Sequence, residues 1–190
     1  MSVNIRALRG QDGDAGCDAA WEALEAIENA ADRLLVEQLQ PATWEAAPSG
    51  HARRADAGFV LVAEGDAVPV EPSAEAHARG AARRVIGFVH VREAGGVAHL
   101  EQLSVLPEHG RRGVGSALVE AAAAEAAQRG YDRLTLRTYT AVPWNAPLYA
   151  RLGFVEEAPA TPFHRRLAES ERRLGLDRYG PRIQMVRVLG

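Results

Sequence analysis

The most informative stretch of this sequence is Leu103-Ser-Val-Leu-Pro-Glu-His-Gly-Arg-Arg-Gly-Val-Gly-Ser-Ala-Leu118. A β-type segment ends near Pro107, and an alanine-rich helical pattern begins near Ser116. The turn between them contains three glycines, Gly110, Gly113 and Gly115. Glycines at this spacing let a tight turn present several backbone N–H groups on one side, and the helix adds the positive end of its dipole. The stretch predicts a binding site for a phosphate or pyrophosphate group. The alternative is that it is a plain strand-to-helix turn.

Two common phosphate-binding motifs do not fit this turn. A P-loop requires Gly-Lys followed by Ser or Thr, and the chain contains no lysine. A dinucleotide-binding fingerprint requires a third glycine three residues after the second, where this chain has Leu118. Arg111 and Arg112 lie in the turn and add positive charge to it.

A second informative block is Val142-Pro-Trp-Asn-Ala-Pro-Leu-Tyr-Ala-Arg-Leu-Gly-Phe154, which follows a strand-like segment at 133–139. Asn145 is a favourable N-cap for a short helix, and Gly153 is a favourable residue to end it. Tyr149 on this helix is either a packed aromatic residue or part of a site.

Together the two blocks resemble the cofactor-binding motifs of the GNAT N-acetyltransferase superfamily. The first motif reads Gln/Arg-x-x-Gly-x-Gly/Ala between a strand and a helix; Gly113 and Gly115 match it, and Gly110 departs from it. In the second motif an Asn begins a short helix, a Tyr follows and Gly-Phe closes it. The matching residues are Asn145, Tyr149, Gly153 and Phe154. The resemblance covers residues 84–157 well.

The resemblance implies an α/β (α+β) GNAT fold, with a mixed, mostly antiparallel sheet and helices on both faces. It implies acetyl-CoA as cosubstrate and no metal. The pantetheine arm would enter a gap between splayed central strands, and the acceptor amine would arrive from the other side. The implied cofactor-binding residues are Leu103, Val105, Arg111, Arg112, Gly113, Val114, Gly115, Ser116 and Asn145.

Acetyl transfer to an amine requires two proton transfers. A primary amine has a pKa of about 10.4 and must lose a proton before it attacks, whereas the leaving thiolate, with a pKa of about 8.5, must gain one. Tyr149 is the candidate acid. His99 and Glu101 are the candidate bases. They lie two apart on the strand that enters the glycine turn and so point to one face, and their positions resemble those from which related enzymes project a carboxylate or a histidine. A packed histidine and an exposed edge carboxylate are the alternatives, and His90 is a further candidate base.

Hydrophobic periodicity predicts alternating strands and helices in one domain spanning 1–190. Strands are predicted at 3–8, 58–63, 85–93, 97–105, 133–139, 154–157 and 183–189. Helices are predicted at 15–28, from a bend at Asn29 to about 39, at 116–129, and between Thr161 and Gly175. Segments 41–57 and 64–83 are predicted to be flexible loops, the second a long hairpin insertion.

Composition narrows the function class. A net charge of −3 argues against a general nucleic-acid binder, and no apolar run reaches the length of a membrane span. Cys17 is the lone cysteine and fits a reducing compartment, so we expect a cytoplasmic protein.

The sequence therefore predicts an N-acetyltransferase that acts on a small-molecule or peptide amine. The sequence does not decide whether the protein forms a homodimer. Two alternatives remain: an acyl-CoA-binding module without catalysis, and a regulatory domain that binds ATP or NAD.

Overall fold

The computed structural model describes residues 3–8, 15–66 and 83–190. Their seven strands are β1 (Asn4–Leu8), β2 (Gly58–Asp66), β3 (Arg83–Ala94), β4 (Val97–Val105), β5 (Arg133–Tyr139), β6 (Val155–Glu157) and β7 (Arg182–Val188). Their five α-helices are α1 (Ala15–Leu39), α2 (Gly50–Arg54), α3 (Val114–Gln128), α4 (Ala146–Arg151) and α5 (Pro162–Arg173).

The strands form one sheet in the order β1-β2-β3-β4-β5-β7-β6. Every neighbouring pair is antiparallel except β4 and β5, which are parallel. A parallel pair requires a crossover connection, and α3 supplies it between β4 and β5. The mixed, mostly antiparallel sheet that the resemblance implies is confirmed.

Helices cover both faces of the sheet. On one face, Leu118 of α3 packs in a core that includes Leu100 of β4 and Leu136 of β5. On the other face, Leu24 of α1 packs in a second core that includes Phe88 of β3. The alternation of strand side chains between these two cores is the expected consequence of the pleat.

The two central strands separate partway along their length. β4 and β5 pair only from Ala98–Leu134 to Leu100–Leu136. β4 nevertheless continues to pair with β3 as far as Val105, opposite Gly87. One edge of β4 is therefore free of strand partners after Leu100, and a gap opens in the middle of the sheet.

The first helical region differs from the prediction. Asn29 does not bend the chain, because α1 runs without interruption from Ala15 to Leu39. The Asn29 side chain instead accepts a hydrogen bond from the backbone N–H of Ala47 at 3.0 Å. The helix ends where Gln40 adopts a left-handed conformation, at φ 47°, ahead of Pro41.

The two predicted loops also need correction. Segment 41–57 contains α2, whose first turn is capped by the Ser49 hydroxyl, and Gly50 packs so tightly on α1 that an added Cβ would lie 1.8 Å from the Trp21 carbonyl oxygen. In segment 64–83, β2 continues to Asp66 and β3 begins at Arg83. The remainder of that predicted hairpin insertion lies outside the described residues.

The other predicted elements are confirmed with small shifts at their ends. β4 and β5 have the predicted bounds, and α3 begins two residues before the predicted Ser116. Thr161 caps α5 through its side chain, and Gly175 follows that helix in a left-handed conformation. β6 and β7, both predicted as strands, pair with each other in antiparallel fashion.

Candidate active site

A cavity of about 520 Å³ occupies the gap between β4 and β5. It passes through the sheet, because its lining includes Tyr149 of α4 on the α3 side and Glu28 of α1 on the opposite side. Glu101 and Leu103 of β4 line it between these two ends. The divergence of two parallel strands therefore creates a passage where groups from both faces meet.

The glycine turn leads directly into α3. Gly113 is the N-cap of this helix in a left-handed conformation, at φ 83°, and Arg111 is also left-handed, at φ 55°. The first helical hydrogen bond runs from the Ala117 N–H to the Gly113 carbonyl at 2.9 Å. The preceding amides have no acceptor inside the helix, and such amides at a helix N-terminus favour an anion.

The free edge of β4 and the start of α3 lie side by side. A Cβ added at Gly115 would approach the side chains of Leu103 and Val105 at 3.8 Å, an ordinary contact distance. A molecule extended along the β4 edge would therefore lead to the amides of the turn. Arg111 and Arg112 are exposed in the turn, Ser116 is partly buried, and Val114 contributes its side chain to the core.

Asn145 and Tyr149 lie on the α3 side of the cavity. Asn145 occupies the N-cap position of α4, but its side chain makes no capping hydrogen bond, so its predicted capping role is not observed. Tyr149 is buried, and its ring packs against Phe154 with centroids 5.8 Å apart. Burial raises the pKa of the Tyr149 phenol, which keeps the hydroxyl protonated at neutral pH.

Glu101 lies at a β-bulge. His90 pairs with Gln102 and Val91 pairs with Leu100, so Glu101 has no partner in the register between them. Such a bulge re-aims a side chain, and Glu101 lines the cavity with 34% of its side chain exposed. Burial by the surrounding protein raises the pKa of this carboxyl, against the opposing effect of Arg92 at 4.0 Å.

His99 does not reach the cavity, which corrects the prediction that it could act as base. Phe163 and His164 of α5 cover its ring, and its Nδ1 lies 2.9 Å from Thr135 Oγ1. Burial lowers the pKa of His99 to about 3. The structure therefore separates the two candidate bases: Glu101 faces the cavity, and His99 belongs to the packing beneath α5.

His90, the further candidate base, lines the cavity as part of a buried polar cluster on the α1 side, and sequence reasoning missed the other two members, Glu28 and Arg53. Arg53 of α2 donates to Glu28, and its Nη1 lies 3.5 Å from His90 Nδ1. Burial raises the pKa of Glu28 to about 7 and lowers that of His90 to about 4. The sequence did contain one signal. Glu28 lies four residues after the buried Leu24, so it places a carboxylate on the apolar face of α1.

Sequence reasoning also missed a second cluster. It lies on the wall beneath α5, which is the part of the cavity lining that contains Arg137 and Arg182. Arg137 of β5 and Arg182 of β7 both donate to Glu171 of α5, at 2.7 and 2.9 Å. Both arginines line the cavity. The three residues are far apart in sequence, so no local motif joins them.

Residues 3–8, 15–66 and 83–190 contain neither a membrane-spanning helix nor a cluster of metal ligands. None of their helices has the length and apolar character that a membrane span requires. No group of three or more His, Cys, Asp or Glu side chains among them could hold a metal ion.

Comparison with known families matches residues 21–154 to the Acetyltransferase (GNAT) family. This chain is a member of the GNAT acetyltransferase family. The matched region runs from α1 to the end of the second sequence block, and so contains the gap, the glycine turn and Tyr149.

Solved structures of other acetyltransferases have the same fold. A GNAT acetyltransferase from Staphylococcus aureus Mu50 has a TM-score of 0.63 at 12% identity, with 100% of both chains covered. The ribosomal-protein-S18-alanine N-acetyltransferase from Escherichia coli has a TM-score of 0.58 at 17% identity, over 100% of this chain and 95% of that one. The PaiA N-acetyltransferase from Thermoplasma acidophilum, solved with coenzyme A, has a TM-score of 0.55 at 16% identity, over 99% of each chain.

Proposed function

We propose that this GNAT acetyltransferase transfers the acetyl group of acetyl-CoA to a primary amine of a small molecule or peptide. The amine would attack directly in a ternary complex. One observation carries the proposal: a single cavity through the sheet brings Tyr149 and Glu101 to the free edge of β4. An acyl donor on one face and an amine on the other would meet there.

The residues present fit acetyl-CoA. The unpaired backbone of Leu103 and Val105 can hold the pantetheine amides as an added strand would. The amides from Gly113 to Ser116 can hold the pyrophosphate, with the adjacent arginines supplying positive charge. Bound acetyl-CoA supplies the thioester carbonyl and the leaving thiolate.

Glu101 is the proposed base. An amine with a pKa of about 10.4 is protonated at neutral pH, so a carboxylate must take its proton directly or through water. The raised pKa of Glu101 makes this carboxylate a stronger base than an exposed glutamate, while solvent in the cavity can carry the proton away.

Tyr149 is the proposed acid. Its hydroxyl stays protonated because burial disfavours the phenolate. The same burial raises the proton affinity of any thiolate formed beside it, which matches the donor to its acceptor. Asn145 lines the same part of the cavity and is proposed to position the cofactor.

Calorimetry with acetyl-CoA, ATP and NAD, followed by an assay of thiol release with a panel of amines, tests this proposal. We expect binding of acetyl-CoA alone among the three and release of free CoA only when a suitable amine is present. Binding without release across amino acids, peptides, diamines and aminoglycosides would favour the non-catalytic module. Binding of ATP or NAD in preference to acetyl-CoA would favour the nucleotide-binding domain.

A further inference from the structure

The cavity has walls of opposite charge. Glu28, Asp32, Glu45 and Asp56 contribute carboxyl groups on the α1 and α2 side. The basic residues among the described lining on that side are Arg53 and His90, and burial lowers the pKa of His90 to about 4, so at neutral pH the positive charge there comes from Arg53. The wall beneath α5 contains Arg137 and Arg182. A ligand that bears an ammonium group and an anionic group would therefore align across the cavity.

The wall beneath α5 carries more positive than negative charge. Two guanidinium groups share the single carboxylate of Glu171, and the three side chains are only 9%, 17% and 10% exposed for Arg137, Arg182 and Glu171. One positive charge thus remains without a counter-charge in this cluster. An uncompensated charge in such a place is costly, and an anionic ligand removes that cost.

Hydrogen-bond donors on this wall are left open. Arg137 uses Nε to bind Glu171, and neither of its Nη nitrogens has a hydrogen-bond partner among the described residues. Arg182 uses Nη2 to bind Glu171, and its Nε is buried against the protein without a partner among the described residues, so a ligand would have to meet the Nη side of this guanidinium. Arg182 is held over the Tyr139 ring at 4.4 Å, which fixes the plane of its guanidinium. Paired guanidinium donors match the geometry of a carboxylate.

The position of Arg137 relates this wall to the reacting groups. Arg137 follows Leu136, and Glu101 follows Leu100, and these two leucines form the last pair between β4 and β5. Arg137 and Glu101 therefore leave the sheet at the same level on opposite sides of the gap. Arg137 faces α5, whereas the amides of α3 lie on the other face, so the phosphates of the cofactor would not occupy this wall.

We infer that the acceptor is an amine that also carries a carboxylate, and that Arg137 and Arg182 bind this carboxylate while the amine lies at Glu101. This inference rests on the proposed function and names the substrate class of the same site. The carboxylate could be the α-carboxylate of a free amino acid or a side-chain carboxylate of an acidic peptide.

Matched acceptor pairs on the unaltered protein test this inference. Release of CoA from acetyl-CoA is measured with each L-amino acid and its carboxamide, and with the dipeptide amides Ala-Asp-NH₂ and Ala-Asn-NH₂. We expect the carboxylate member of at least one pair to have a kcat/KM at least about tenfold higher, because a site built for a polar group rejects an analogue that lacks it. The two kinds of pair separate a free amino acid from an acidic peptide.

Variants then test whether Arg137 and Arg182 cause this preference for a carboxylate. Arg137→Gln should lower kcat/KM at least about tenfold for the preferred carboxylate acceptor and leave its amide partner unchanged. Arg182 still pairs with Glu171 in this variant. Arg133→Gln is the matched control, because Arg133 lies on the same strand but does not line the cavity. If Arg137→Gln does not fold, Arg182→Gln replaces it.

Three results would overturn the inference: equal use of acid and amide in every pair, transfer only to carboxylate-free diamines or aminoglycosides, or an equal loss for both members in Arg137→Gln. In these cases acetyl transfer itself still occurs, so the proposed function survives. Absence of both acetyl-CoA binding and CoA release would remove the proposed function together with this inference.

Discussion

Leu100 and Leu136 form the last pair between the parallel strands β4 and β5. Beyond this pair the two strands diverge, and the residues that follow them face the cavity instead of each other. Backbone groups at a strand edge that lack partners are available to a bound molecule. This one point in the sheet therefore sets where the cosubstrate and the acceptor would meet.

Replacing the glycines of the turn should weaken binding of acetyl-CoA. Gly115→Val adds a branched side chain beside Leu103 and Val105, where the pantetheine arm is proposed to lie. Gly113→Val forces a β-branched residue into a left-handed conformation. We expect a loss of about tenfold or more in affinity, or about 1.4 kcal/mol, by calorimetry.

Gly130→Val is the control for these two variants. Gly130 is also left-handed, at φ 89°, but it follows the far end of α3. Its replacement should lower stability without changing the affinity for acetyl-CoA. Unchanged affinity in a folded Gly115→Val protein would refute the assigned cofactor site.

Tyr149→Phe should lower kcat about 10²- to 10⁴-fold, the usual range for loss of a general acid or base. The ring contact with Phe154 is retained, so the fold and the affinity for acetyl-CoA should change little. Single-turnover kinetics measure the chemical step separately from product release. Near-normal turnover in that measurement would exclude Tyr149 as the acid.

The activity should rise with pH as Glu101 loses its proton. Because burial raises the pKa of this carboxyl, the midpoint of the rising limb in kcat/KM should lie above the ordinary value of 4.5. Glu101→Gln should lower the rate and remove this limb. A pH–rate profile for the two proteins is the measurement, and persistence of both rate and limb in the variant would place the base elsewhere.

Protonation of His99 should oppose folding at low pH. Its folded pKa of about 3 lies below the value of 6.5 expected for an unfolded chain, so the unfolded state binds the extra proton first. The stabilisation present above pH 6.5 is then lost as the pH falls toward 3, at up to about 1.4 kcal/mol per pH unit. His99→Asn should flatten this dependence in urea unfolding, whereas an unchanged slope would contradict it.

Thr135→Val should destabilise the attachment of α5. The Thr135 hydroxyl donates to the Ala98 carbonyl at 3.1 Å and therefore accepts from His99 Nδ1 and His164 Nε2. Valine has the same shape but leaves these groups unpaired, at a cost of about 1–3 kcal/mol for a buried group. Thr140→Val, at an exposed hydroxyl, should change the free energy of unfolding by less than about 0.5 kcal/mol.

The short-range features of this protein follow from its sequence. The bounds of β4 and β5, the glycine turn, the cap at Thr161 and the left-handed glycine after α5 are set by propensities and capping within a few residues. The two motif blocks also indicated the family, because the spacing of their residues is itself local. Asn29 marks the limit of such reasoning, since the helix continues through it and its side chain binds Ala47, a residue that no local pattern connects with it.

Which of these residues come together depends on contacts between distant parts of the chain. The bulge at Glu101 and the divergence after Leu100 depend on pairing with β3 and β5, which no local pattern specifies. The same is true of the cover of α5 over His99 and of the two arginines that share Glu171. The sequence alone was enough for the seven strands, the longer helices and the place of the turn, but not for α2 or the unbroken course of α1. Long-range packing set which charges face the cavity, because side-chain burial depends on neighbours distant in the chain.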